Sequence, residues 1–176
     1  DDHDRSNRRT AVEVGANYLN SVGPNGILIT HGDNDTFPLW YAQEVEGVRT
    51  DVRILNYTLS GMHWYVEQLF NKLYESEALP FTLPKEYYGL GHDIVYLQDR
   101  TSEFLEVTDV LALLRDHPEH FTMNYQGEDV VILPTKRFKI TIDTADLAAR
   151  GVIPAELSGK IPNEIRWEIS ANALMR

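Results

Sequence analysis

The stretch ILITHGDNDTFPLWYAQEVEG, residues 27–47, passes from an apolar run through a polar knot into a helical pattern, and that order decides the fold. Ile27, Leu28, Ile29 and Thr30 are consecutive apolar or β-branched residues, the mark of a short buried strand. After His31, Gly32, Asp33, Asn34 and Asp35, the residues Phe37, Trp40, Tyr41 and Val45 recur at three and four positions. With Pro38 suited to a first turn and Gly47 as a stop, this predicts a helix. Val52, Ile54, Leu55 and Tyr57 then form a second strand pattern between RTD and TLSG. Two strands joined by a helical crossover lie parallel, which is the elementary unit of a Rossmann-like three-layer sheet.

Outward from this unit, Ala11, Val12, Val14, Ala16, Tyr18 and Leu19 place a helix between Ser6 and Val22, stopped by the GPNG at Gly23–Gly26. Downstream, Ser60 is placed to cap a helix carrying Met62, Tyr65, Val66, Leu69, Phe70 and Leu73, and Pro80 and Pro84 block its continuation. The second half is less regular. Ile94–Leu97 reads as a strand, Val107–Arg115 as a helix begun by Thr108 or Asp109, and Val130–Leu133 as a strand or hairpin arm. In KRFKITID and EIRWEIS apolar and polar residues alternate, so these segments are expected to pair as strands with one wet face, a short helix at Ala145–Arg150 between them. The expected fold class is α/β: a Rossmann-like three-layer core with a parallel sheet, plus a second half contributing a β-hairpin or mixed strands. At 176 residues the chain suits one domain, 1–176, with a proper core.

Composition narrows the function classes. The chain is 43% hydrophobic and 24% charged, with a mean hydropathy of −0.33, which fits a soluble globular domain. No run approaches the ~20 apolar residues that cross a bilayer. The opening DDHDRSNRRT is polar throughout, so any export or membrane attachment is expected outside these residues. Sixteen Lys and Arg against 27 Asp and Glu give a formal charge of −11, which repels phosphate backbones and argues against nucleic acid as a partner. Without cysteine there is no disulfide, thiolate catalysis or Cys-ligated zinc. Two sequons, at Asn34 and Asn56, are near the number chance supplies.

Ligands of open parallel sheets bind beyond the carboxyl ends of the strands. This places His31, Gly32, Asp33, Asn34, Asp35, Asn56, Thr58 and Ser60 at one edge as candidate ligand-binding residues, with His63 in the next helical turn. The first helix runs antiparallel to the first strand, so its start is expected near the same edge, bringing Asp2, His3 and Asp4 toward Asp33 and Asp35. Such a cluster needs a cation, an arginine or shared protons. Asp2, His3, Asp4, Asp33 and Asp35 are therefore the candidate ligands of a divalent cation, with Arg5, Arg8 or Arg9 as the alternative source of charge.

Asp33-Asn34-Asp35 has the form of a D-x-D pair for Mg²⁺, Mn²⁺ or Ca²⁺, but Asn34 or Asp35 capping the following helix explains the same residues. A haloacid-dehalogenase-type phosphatase needs its first Asp directly after the strand and a Thr four residues on; Thr36 follows Asp33 by three. No nucleophile elbow, Walker loop or H-E-x-x-H motif is present. Trp40, Tyr41, Trp64 and Tyr65 can stack on a sugar or fill the core. Tyr87 and Tyr88, in an irregular passage, are freer to face a ligand.

Three segments, DDHDRSNRRTA, GDNDTFPLWYAQEVEGVRTDVRILN and LPTKRFKITID, carry a family resemblance over nearly the whole chain. They resemble the soluble part of a bacterial domain-of-unknown-function family of multi-spanning membrane proteins, whose membrane part is similar to protein O-mannosyltransferases. The resemblance implies that this chain is a piece of a longer polypeptide, preceded by membrane helices that would be its partner and located on the extracytoplasmic face. Catalytic acids of that class lie in a loop between early membrane helices, so no catalytic residue carries over. Gly32–Pro38 and Asp2–Arg5 match the family's motifs without an assigned role.

Three functions compete on these grounds. The first is an extracytoplasmic domain of a mannosyltransferase-like membrane glycosyltransferase that binds or positions a glycan or peptide acceptor. The second is a self-sufficient metal-dependent hydrolase or transferase built on the Asp/His cluster. The third is a purely structural packing domain.

Overall fold

The computed structural model describes residues 9–88, 94–171 and 173–175. Among these residues the chain is a mixed α/β protein with five α-helices and small parallel and mixed sheets. It divides between Phe81 and Thr82 into two compact units.

The first unit runs α1 (Thr10–Ser21), β1 (Ile27–Thr30), α2 (Asp33–Glu44), β2 (Arg53–Asn56) and α3 (His63–Leu69). β1 and β2 pair in parallel from Ile27 opposite Arg53 to Thr30 opposite Asn56, so both strands end level. The expected β-α-β element is present, and its sheet has two strands among the described residues. Leu19, Leu39, Ala42, Val52 and Ile54 form its core. α1 and α2 touch backbone to backbone at Gly15, where an added Cβ would stand 2.5 Å from the Pro38 carbonyl oxygen. Arg49 ties off the end of α1, its guanidinium donating to the carbonyls of Leu19, Val22 and Gly23.

Several local expectations are corrected. β1 is not fully buried: Ile27 and Ile29 are 47% and 65% exposed, because only the face carrying Leu28 and Thr30 meets the core. α2 begins at Asp33, with Gly32 as the N-cap and no side-chain cap, so neither Asn34 nor Asp35 caps it. Gly32 holds φ 84° and ψ −179°, a region open essentially to glycine alone. Starting there sets Pro38 in the second turn rather than the first, leaving the Asn34 carbonyl without its usual i+4 donor. α3 ends at Leu69, short of Leu73, since the chain turns to stack Phe70 on Phe81 at 4.2 Å. Ser60 caps no helix; it sits in the 3₁₀ turn Thr58–Gly61 and donates to the Tyr57 carbonyl at 2.6 Å.

The bonds that bracket the ladder, Arg53 N–H to Gly26 and Tyr57 N–H to Thr30, point the odd-numbered residues of β2 toward β1. Ile54 and Asn56 therefore direct their backbone groups to the outer edge of β2. There the Tyr65 hydroxyl accepts from the Asn56 N–H at 2.8 Å and donates to the Ile54 carbonyl at 3.4 Å. One phenol thus occupies the place of a neighbouring strand.

The second unit holds β3 (Ile94–Leu97), β4 (Leu105–Glu106), α4 (Val107–Asp116), β5 (Thr122–Tyr125), β6 (Glu128–Leu133), β7 (Arg137–Thr141), α5 (Thr144–Ala149), β8 (Glu164–Glu168) and β9 (Ala173–Met175). One sheet has the order β5-β6-β3-β9, in which β3 and β6 are parallel and the other pairs antiparallel. The other has the order β4-β7-β8, and its antiparallel β7–β8 pair joins the two alternating segments as expected, with α5 between them. α4 is preceded by Glu106 rather than begun by Thr108 or Asp109. Tyr87 is structural, packing against Leu114, Phe121 and Val131 and donating to the Leu114 carbonyl at 3.1 Å.

Candidate functional site

The carboxyl ends of β1 and β2 carry two polar layers of different character. The inner layer is buried and neutral. Thr36, on the first turn of α2, donates its hydroxyl to the Gly32 carbonyl at 2.7 Å. That donation leaves its oxygen to accept from the Thr30 hydroxyl at 2.7 Å and from Asn56 Nδ2 at 3.0 Å. The Oδ1 of Asn56 in turn accepts from the backbone N–H groups of Thr58 and Leu59. Thr36 and Asn56 are fully inaccessible, and every polar atom of this knot has a partner, as burial requires. Asn56 is therefore a structural keystone that shapes the turn after β2, and a ligand cannot reach its side chain.

The outer layer is exposed. His31, Asp33, Asn34 and Asp35 all face solvent. His31 stacks on Tyr57 with ring centroids 5.8 Å apart. The two aspartates occupy the first turn of α2, where their charge complements the helix dipole. Thr30, His31, Asn34, Asp35 and Tyr57 border a groove of about 620 Å³, closed on the other side by Val14, Gly15 and Tyr18 of α1. Of the nine candidate ligand-binding residues, His31, Asn34 and Asp35 share this groove. Gly32 serves through its backbone, Thr58 and Ser60 belong to the 3₁₀ turn, and His63 opens α3 outside the groove.

Asp2, His3 and Asp4, the remaining members of the candidate cation cluster, lie outside the described residues. Among the described residues no group of three or more His, Asp or Glu is arranged to hold a metal ion, and no cation pairs with Asp33 or Asp35. Among the described residues of the first unit, the carboxylate with a displaced acidity is Asp51, at the opposite end of the sheet. The Arg49 guanidinium and the Asn25 N–H hold it well below the usual carboxylate range.

Sequence reasoning missed Thr30 and Thr36, whose hydroxyls close the knot, and the α1 side of the groove. Thr36 was legible only as a residue in the wrong register for a phosphatase. Gly15 and Tyr18 gave the clearer signal: a glycine inside a helix marks a close approach, and the apolar stripe of α1 has to face something.

No described helix is long and apolar enough to cross a membrane. No curated protein and no solved structure matches the chain. A family model, TMEM260-associated domain 2, matches residues 11–176. With a match over nearly its whole length, the chain belongs to the TMEM260-associated domain 2 family.

Proposed function

We propose that this chain is the extracytoplasmic, ligand-binding domain of a larger membrane protein whose membrane helices resemble those of protein O-mannosyltransferases. It binds or positions a glycan or peptide acceptor, and the glycosyl-transfer chemistry belongs to the membrane part of the same polypeptide. The observation that carries this reading is the groove beside β1. Its wall includes Thr30, which belongs to the fully paired knot, and its rim offers two exposed aromatic rings, Tyr18 and Tyr57, beside His31, Asn34 and Asp35. Aromatic faces flanked by amide and carboxylate groups suit the apolar faces and hydroxyls of a sugar, or a polar peptide. Membership in the TMEM260-associated domain 2 family supports a place within a longer protein. Asp33 and Asp35 would supply oxygen ligands if a divalent cation assists binding.

Calorimetry of the chain against mannose oligosaccharides, acceptor-like peptides and Mg²⁺, Mn²⁺ or Ca²⁺ tests the reading, together with Asp33→Ala plus Asp35→Ala in the intact protein. Binding to the groove and a loss of transfer in the double variant are expected. No binding of any kind, with full activity of the double variant, would overturn it.

A further inference from the structure

A second cavity, of about 480 Å³, lies within the first unit on residues the groove does not use, and at its wall stands Arg53. This side chain begins β2 and is 96% removed from solvent, the residue being 4% exposed. Its guanidinium donates to the carbonyls of Asn71 and Glu77. Its Nε is buried with no partner, and among the described residues no carboxylate pairs with it. Burial pulls its acidity in the direction that disfavours the charged form. A buried cation held by neutral carbonyls alone is far from its best environment, since a guanidinium is built to meet a planar or tetrahedral oxyanion through two parallel hydrogen bonds.

The other walls say what accompanies the oxyanion. Trp40 and Trp64 border the cavity, as do Gln68 and Lys72. Trp64 is 54% exposed, more than an indole with only a packing role requires. Glu44 also borders it, with its carboxylate engaged by the Tyr74 hydroxyl, and Lys72 is engaged by Glu77. Arg53 is thus the cation of this wall that no described carboxylate answers. The volume is that of a small-molecule site.

We propose that this cavity is a second ligand site, taking a small organic oxyanion, a carboxylate or phosphate monoester, that reaches Arg53 while its ring or carbon skeleton lies against Trp40 and Trp64. The site is separate from the acceptor groove and goes beyond the function proposed for it.

The test is an NMR titration of the 176-residue chain that follows the indole N–H signals of its three tryptophans. Phenyl phosphate and benzoate are the probes, and benzamide is the uncharged counterpart. Saturable shifts of Trp40 and Trp64 with at least one anion are expected, while Trp167, in the second unit, stays still. A preference for phenyl phosphate or for benzoate tells which oxyanion the site is made for. Benzamide should bind about tenfold more weakly or worse, and Arg53→Met should abolish anion binding. Trp64→Ala, at an exposed position that does not threaten folding, should weaken it about tenfold. Absence of a saturable shift with either anion, equal binding of benzamide, or unchanged binding by Trp64→Ala would overturn the proposal.

Discussion

Asn56 and Arg53 stand at the two ends of the same short strand, both buried and both polar, yet they are satisfied in opposite ways. Asn56 is neutral, and its side chain completes a closed circuit with Thr36, Thr58 and Leu59. Arg53 carries a full charge and meets two backbone carbonyls, with Nε left over. The contrast teaches that burial alone does not identify a functional group. A buried polar residue whose every bond is made holds the fold, whereas one with a bond outstanding is held by the fold for something else.

The sharpest way to break this comparison is to substitute both residues. Asn56→Leu strands the Thr58 and Leu59 amides and one acceptor site of Thr36, and should lower unfolding stability by about 3 kcal/mol in urea titration. Tyr65→Phe removes the hydroxyl that serves the Asn56 N–H and should cost about 1.5 kcal/mol, with faster hydrogen exchange at the Asn56 amide. Arg53→Met removes an unanswered buried cation but also the donor to the Asn71 and Glu77 carbonyls, so the two effects oppose and the net change should stay within about 1 kcal/mol. A loss as large as that of Asn56→Leu would make Arg53 a structural clamp and erase the contrast. Asp33→Asn plus Asp35→Asn changes only exposed residues in the first turn of α2, so its effect should stay below about 1 kcal/mol, the scale of the helix-dipole term.

Asp51 sets a pH dependence rather than a fixed loss. Its carboxyl is held below its ordinary 3.8 first by the hydrogen bond from Arg49 and then by the Asn25 N–H. A depressed folded-state value means that the contribution is complete above the unfolded value and is lost as pH falls through the folded one. Stability curves of the wild type and Asp51→Asn should therefore run parallel from pH 7 to about pH 5 and converge below about pH 4. Parallel curves down to pH 2 would show that the Arg49 pair contributes nothing.

The β-α-β element was legible because its signals are local: an apolar run, a three-and-four repeat and a second run, each bounded by turn residues. The pairing of KRFKITID with EIRWEIS was legible for the same reason, since alternation encodes a one-sided strand whatever its neighbours. What the pattern did not carry was conformation at single residues. A positive φ at Gly32 moved the start of α2 ahead of the residues that looked like its cap, and it turned Asn34 and Asp35 from caps into rim. Arg53 was equally hidden. In RTDVRILN it reads as a polar residue at a strand entrance, and only the segment after α3, which has no periodicity, brings the Asn71 and Glu77 carbonyls to it. For the candidate site, the edge and three of its groove residues followed from topology. The partition into a sealed polar layer and an exposed one depended on side-chain hydroxyl geometry that spacing does not encode.

The Tyr65 phenol at the outer edge of β2 has a consequence for how copies of this protein behave toward one another. An uncovered strand edge is a template on which another chain can add a strand and begin an aggregate. Here a single oxygen, by taking the Asn56 amide and reaching the Ile54 carbonyl, leaves an incoming strand nothing to pair with at those two positions. Loss of that oxygen in Tyr65→Phe would reopen the edge, so the variant should self-associate at concentrations where the wild type stays dispersed, well before it unfolds.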